Sequence, residues 1–104
     1  MKNKKGWRYL VGSNAKLAGD INEAIITSHL MKSGWDVFKN MSCTGPIDMI
    51  AYNRVSGQLI KLDAKSCDSK PTSEQKRNEI YICWMNSNES KLTVKKEEDE
   101  WIEI

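Results

Sequence analysis

The chain has 104 residues, 39% of them hydrophobic and 29% charged, and a net charge of +2. This is the composition of one ordinary globular domain with a modest core. No run approaches the roughly 20 apolar residues of a membrane-spanning helix, and no apolar stretch follows the basic start as a secretory leader requires.

Cys43, Cys67 and Cys83 form an odd set without CxxC spacing. That pattern reads as reduced thiols in a cytoplasmic protein and argues against zinc. The charge is unevenly spread. Lys2, Lys4, Lys5, Arg8 and Lys16 crowd the start, and Glu97, Glu98, Asp99, Glu100 and Glu103 crowd the end. A basic arm of this kind binds phosphate, although a solvated terminus has the same composition. Residues 1–12 are therefore expected to form an arm, and residues 13–104 a single domain. Trp7 and Tyr9 within the arm either dock on the body or stack on bases.

Ser13 or Asn14 is placed to cap a helix running to about Ser33, with Gly34 as its stop. Leu17, Ile21, Ala24, Ile25 and Ser28 follow helical spacing, widened by Ile26, Leu30 and Met31. Glu23 borders this stripe, facing either solvent or an inward site. His29 falls on the polar side and reads as a surface residue. Trp35 to Asn40 alternates as a strand. Ile47 to Tyr52 is a strand with apolar residues on both faces, which suggests a central position. Asn53-Arg54-Val55-Ser56-Gly57 is a turn, and Gln58 to Lys65 is the hairpin partner. A polar crossover follows, with a helical turn expected from Thr72 or Ser73. Glu79 to Met85 and Lys91 to Lys95 are further strands, and Trp101 to Ile104 adds a last short one. The fold class is α+β (mixed α/β), with one N-terminal helix on a mixed sheet of about five strands.

The informative stretch is residues 46–65. Asp63 and Lys65 share one face of their strand, and the hairpin returns Asp48 to the same end. Two carboxylates and an amine in one space are costly in a core but suit a divalent cation. Asp48 and Asp63 would hold Mg²⁺, with the backbone carbonyl of Ala64 as a further ligand and Mn²⁺ as a substitute. Lys65 would orient a water and offset charge on a phosphate. Lys70, Lys76 and Arg77 in the crossover either contact a DNA backbone or are simply solvated.

These residues resemble the PD-(D/E)XK nuclease superfamily. The likeness rests on Glu23, on Pro46-Ile47-Asp48 and on Asp63-Ala64-Lys65. Around them stand Gly19-Asp20-Ile21-Asn22-Glu23, Gly34-Trp35-Asp36-Val37 and Ile47-Asp48-Met49-Ile50-Ala51. It covers about Gly19 to Lys65, with order and spacing similar to small archaeal and phage Holliday-junction resolvases and to phage or intron-encoded endonucleases. Pro46 stands one residue further from Asp48 than in the usual motif, and no resolvase-type C-terminal helix follows. The resemblance implies a restriction-endonuclease-like core and a Mg²⁺-dependent DNA endonuclease. Asp48 and Asp63 would be metal ligands, Lys65 would be catalytic, and Glu23 would assist directly or through water. It also brings in Ser42 as a catalytic or phosphate-contacting residue and Gln75 on the DNA-facing side. A Holliday-junction-like substrate leads, with site-specific homing or restriction-type cutting as the alternative. A binding module that keeps the fold without catalysis, and a protein-interaction domain that never meets DNA, are rivals of a different class. A single site per chain implies a homodimer or higher oligomer on DNA. The expected setting is the cytoplasm of a bacterial, archaeal or phage-infected cell.

Overall fold

The computed structural model describes residues 15–42, 44–66, 69–86, 88, 90–97 and 100–104. The basic arm, the capping position at Ser13 or Asn14, and Cys43 and Cys67 lie outside them. Helix α1 (Ala15–Lys32) is followed by strands β1 (Trp35–Lys39), β2 (Met49–Asn53) and β3 (Leu59–Ala64). The short helix α2 (Ser73–Arg77) precedes β4 (Ile80–Met85), β5 (Leu92–Glu97) and β6 (Glu100–Glu103). The strands form one six-stranded sheet in the order β1-β2-β3-β4-β5-β6, with the short C-terminal strand on its edge. Every neighbouring pair is antiparallel except β3 and β4, which run parallel across the α2 crossover. No described helix is long and apolar enough to cross a membrane.

α1 ends where Ser33 and Gly34 donate back to His29, Leu30 and Met31. Gly34 takes a φ of 95°, a conformation that disfavours a side chain. The chain then turns into β1, which runs back beside the helix. The β2–β3 turn closes with Asn53 donating to the Gln58 carbonyl at 2.8 Å and Gly57 to the Asn53 carbonyl at 2.8 Å. The Asn53 side chain caps the turn by accepting from the amides of Val55 and Ser56.

The core lies between α1 and the sheet. Ile26 and Leu30 meet Met49, Ala51, Ile60, Leu62, Cys83, Leu92 and Val94. Ile80 and Ile82 alternate with Cys83 and are buried on the other face, where α2 packs on β4. Cys83 is a free, buried thiol. The helix rests on only part of its broad apolar stripe. Ile26 and Leu30 are fully buried, whereas Leu17 and Met31 are 42% and 61% exposed. With a single helix on a broad sheet, contact is made by the residues pointing at β2 and β3, and the flanks of the stripe stay open. His29 is also not a free surface residue: its Nε2 lies 2.7 Å from the carbonyl oxygen of Ile104, tying α1 to the residue that follows β6.

Candidate active site

The end of the sheet opposite the β2–β3 turn collects Asp48, Asp63 and Lys65. Asp48 sits just before β2. Its amide donates to the Leu62 carbonyl at 2.8 Å, and its own carbonyl accepts from the Asn40 amide at 3.0 Å. Its carboxylate Oδ2 accepts from the Ala64 amide at 2.8 Å. The side chain of the first acid is thus pinned to the residue between Asp63 and Lys65. Just past the end of β3, the Lys65 ammonium stands 3.1 Å from Asp63 Oδ2, and the Asp63 side chain is only 13% exposed.

The two carboxyl groups are close enough to hydrogen-bond to each other. Burial, then that contact, push the Asp48 pKa up to about 6 from an ordinary 3.8. The Ala64 amide opposes the rise, and the charges of Asp63 and Glu23 add to it. Beneath them the Cys83 thiol is pushed up by burial first, then by Asp63, Asp48 and Glu23. The three acids therefore converge electrostatically on the buried part of β4. Glu23 is held slightly apart, with Oε1 2.8 Å from the Lys39 ammonium. Among the described residues no three acidic, His or Cys side chains form a cage for a metal. The donor set is two carboxylates in contact, with the Ala64 carbonyl beside them. That set fits Mg²⁺, which binds through one or two carboxylates and keeps several waters. Burial is the main reason the Asp48 pKa is raised, and a cation between Asp48 and Asp63 would offset both that cost and the smaller contribution of the neighbouring charges.

Gln75 belongs to this group from behind. It is 4% exposed, and its amide nitrogen donates to Asp63 Oδ2. Its Oε1 accepts from the Thr72 amide while its own amide donates to Thr72 Oγ1, a reciprocal cap on α2. The helical turn expected at Thr72 or Ser73 thus delivers Gln75 inward, onto Asp63, and its amide is spent within the protein. Gln75→Ala is expected to cost about 2 kcal/mol, from half a capping box and one buried hydrogen bond to a charge. Urea unfolding measures it; a loss within about 0.3 kcal/mol of zero would mean that the amide supports neither α2 nor Asp63.

Lys70, Lys76 and Arg77 are exposed on this same crossover. Lys16 lies in the first turns of α1, exposed and paired to Asp20 at 3.0 Å. Lys2, Lys4, Lys5 and Arg8 lie outside the described residues. Ser42 is exposed in the loop before Asp48, its hydroxyl donating to Asn40 Oδ1 at 2.7 Å and standing 3.3 Å from Thr44 Oγ1. Among the described residues it makes no hydrogen bond to Asp48, Asp63 or Lys65.

Two residues that build the site have no counterpart among the sequence candidates. Asn22 donates from Nδ2 to the Lys65 carbonyl at 3.0 Å, while the Lys65 amide donates to the Cys83 carbonyl at 2.8 Å. Lys65 is therefore clamped between α1 and β4. Asn40 donates from Nδ2 to the carbonyls of Thr44 and Ile47 at 2.7 and 2.8 Å, folding the loop that ends at Asp48. Asn22 adjoins Glu23 and Asn40 follows a strand, which is the only local signal that either carries.

No protein-family model matches the chain, and no curated protein does. Among solved structures, the bacterial homing endonuclease I-Ssp6803I superposes with a TM-score of 0.55 at 21% identity, over 86% of this chain and 73% of that one. The chain shares its fold with that endonuclease.

Proposed function

We propose, from that shared fold and the site at its sheet end, that the chain is a Mg²⁺-dependent DNA endonuclease hydrolysing phosphodiester bonds. The observation that carries the reading is the Asp48–Asp63 contact beside Lys65. The Ala64 amide holds the Asp48 carboxylate at 2.8 Å and the Lys65 ammonium stands 3.1 Å from Asp63, so two acids and an amine share one half-buried sheet end, the donor set a divalent cation and a phosphate need.

Asp48 and Asp63 would hold the metal, with the Ala64 carbonyl beside them. Bound there, Mg²⁺ supplies Lewis acidity toward water and neutralises charge on the phosphate. Lys65 presents an ammonium on the Asp63 side of the strand, where it orients the attacking water and offsets charge building on the phosphate oxygens. Asn22 and the β4 backbone keep that lysine in register. Gln75 fixes the Asp63 carboxylate, and the Ala64 amide fixes that of Asp48. Lys39 holds Glu23 at the margin, within electrostatic reach of Asp48. Water attack would leave a 5′-phosphate and a 3′-hydroxyl. One site per chain makes cutting of both strands the work of two copies, arranged as a two-fold homodimer or a higher oligomer.

Site-specific cutting of duplex DNA is the leading substrate reading, supported by the fold neighbour named as a homing endonuclease. Branched DNA is the second, supported by the spacing of Glu23, Asp48, Asp63 and Lys65. A supercoiled plasmid library and a synthetic four-way junction, each with Mg²⁺, Mn²⁺ or EDTA, separate them. Metal-dependent cuts at one plasmid site are the expected result, and paired symmetric cuts only in the junction would give the second reading. No cleavage of either with Mg²⁺ or Mn²⁺ would overturn the enzyme.

A further inference from the structure

Beside the acidic site, α1 and β1 leave an open groove of about 600 Å³. Its α1 wall is Ala24, Thr27, Ser28, Met31 and Lys32, and Lys39 of β1 stands across from it. These helix positions recur at i, i+3, i+4, i+7 and i+8, so they form one continuous stripe. It is the part of the apolar pattern that the sheet leaves uncovered: Ala24 and Ser28 are exposed, and Met31 is 61% exposed. Small residues at Ala24 and Ser28 keep the groove open toward the site.

The groove has a direction. β1 turns back from the end of α1, so Lys39 lies next to Glu23, its ammonium 2.8 Å from Oε1. Lys32 lies at the opposite end of the helix. Nine residues separate Glu23 and Lys32, or about 13 Å of axis at roughly 1.5 Å per residue. That span equals about four base-pair steps measured along a duplex axis, at roughly 3.4 Å each. No acidic side chain lines the groove among the described residues. Lys32 makes no ion pair among them, and Lys39 spends one of its three protons on Glu23.

We infer that this groove carries the phosphate backbone of the cleaved DNA strand away from the catalytic carboxylates. In it Lys39 contacts a phosphate near the scissile one, and Lys32 one farther along. The inference rests on the endonuclease reading. What it adds is the path of the substrate and two phosphate-binding lysines, neither of which belongs to the Asp48, Asp63 and Lys65 group. Charge selects this occupant: Lys32 has no ion-pair partner among the described residues, and Glu23 takes only one of the Lys39 protons.

The test is binding of a fluorescein-labelled 20-base-pair duplex in EDTA, by anisotropy across a KCl series. The proteins are wild type, Lys32→Gln, Lys39→Gln, the double variant, Lys32→Arg and Arg54→Gln. Arg54 sits at the far β2–β3 turn, paired to Asp36 at 2.9 Å, and serves as the matched loss of charge away from the groove. Each groove variant should bind roughly 3–10-fold more weakly at low salt and lose about one unit from the slope of log K against log salt. The double variant should lose about two, Lys32→Arg should restore binding, and Arg54→Gln should follow wild type. Thermal melting confirms that the variants fold. If wild type nicks plasmid with Mg²⁺ but Lys32→Gln and the double variant keep its affinity and slope, the groove assignment is wrong and the enzyme stands. If wild type neither binds nor cuts DNA, both fall.

Discussion

Replacing Asp63 with asparagine is expected to lower Mg²⁺-dependent DNA cleavage about 10³-fold or more while leaving the chain folded. Asparagine keeps the shape and one oxygen of Asp63, so the Gln75 amide keeps an acceptor. What disappears is the charge. Asp48 then faces a neutral neighbour, Lys65 loses the carboxylate 3.1 Å from its ammonium, and one of the two anionic ligands for a cation is gone. The measurement is single-turnover cleavage at saturating protein, with melting as the control for folding. A variant within tenfold of wild type would show that Asp63 is structural and that the chemistry lies elsewhere.

Asp48→Asn should have two effects of opposite sign, a comparable loss of cleavage and a gain of stability near neutral pH. The sign follows from the direction of the shift. Asp48 titrates near 6 in the fold against 3.8 in the free chain, so the folded state holds its proton more tightly. The wild-type protein has the full benefit below about pH 4 and loses it as pH rises through about 6. Asparagine does not titrate and still offers an oxygen to the Ala64 amide, which now donates at 2.8 Å. The Tm of Asp48→Asn should therefore approach that of wild type at pH 4 and exceed it at pH 7. The difference should be on the order of 1 kcal/mol, discounted because this carboxylate is partly open to solvent, or about 4–8 °C. Mg²⁺ at pH 7 should raise the wild-type Tm and leave that of the variant in place. An Asp48→Asn protein less stable than wild type at pH 7 would mean that the carboxylate is well paired instead of repelled, and the argument for a cation there would fail.

The regular elements were legible because each follows from nearby residues. Gly34 stops α1, Asn53 and Gly57 close the β2–β3 turn, and Thr72 with Gln75 caps α2. Strand alternation puts Asp63 and Lys65 on one side, and the hairpin returns Asp48 to them. Other features of the site were not legible, because their partners are distant in the chain. Asn22 and the Lys65 carbonyl are 43 residues apart, and an asparagine has no sequence pattern that announces a long-range hydrogen bond. The inward turn of Gln75 and the Glu23–Lys39 pair are of the same kind, since each depends on which elements the fold sets side by side.

The acids and the amine, their order along the chain and the strand face that Asp63 shares with Lys65 can all be read along the chain, because backbone periodicity is local. Which side of α1 lies on the sheet, and with it the open groove between Lys32 and Lys39, is settled by packing. A helix can rest on any part of a broad apolar stripe, and the choice is made by the side chains of β2 and β3 that it must cover. Packing likewise decided how closely Asp48 and Asp63 meet. The Ala64 amide holds the Asp48 carboxylate and the Gln75 side chain holds that of Asp63, and both bonds depend on elements that meet only in the folded chain.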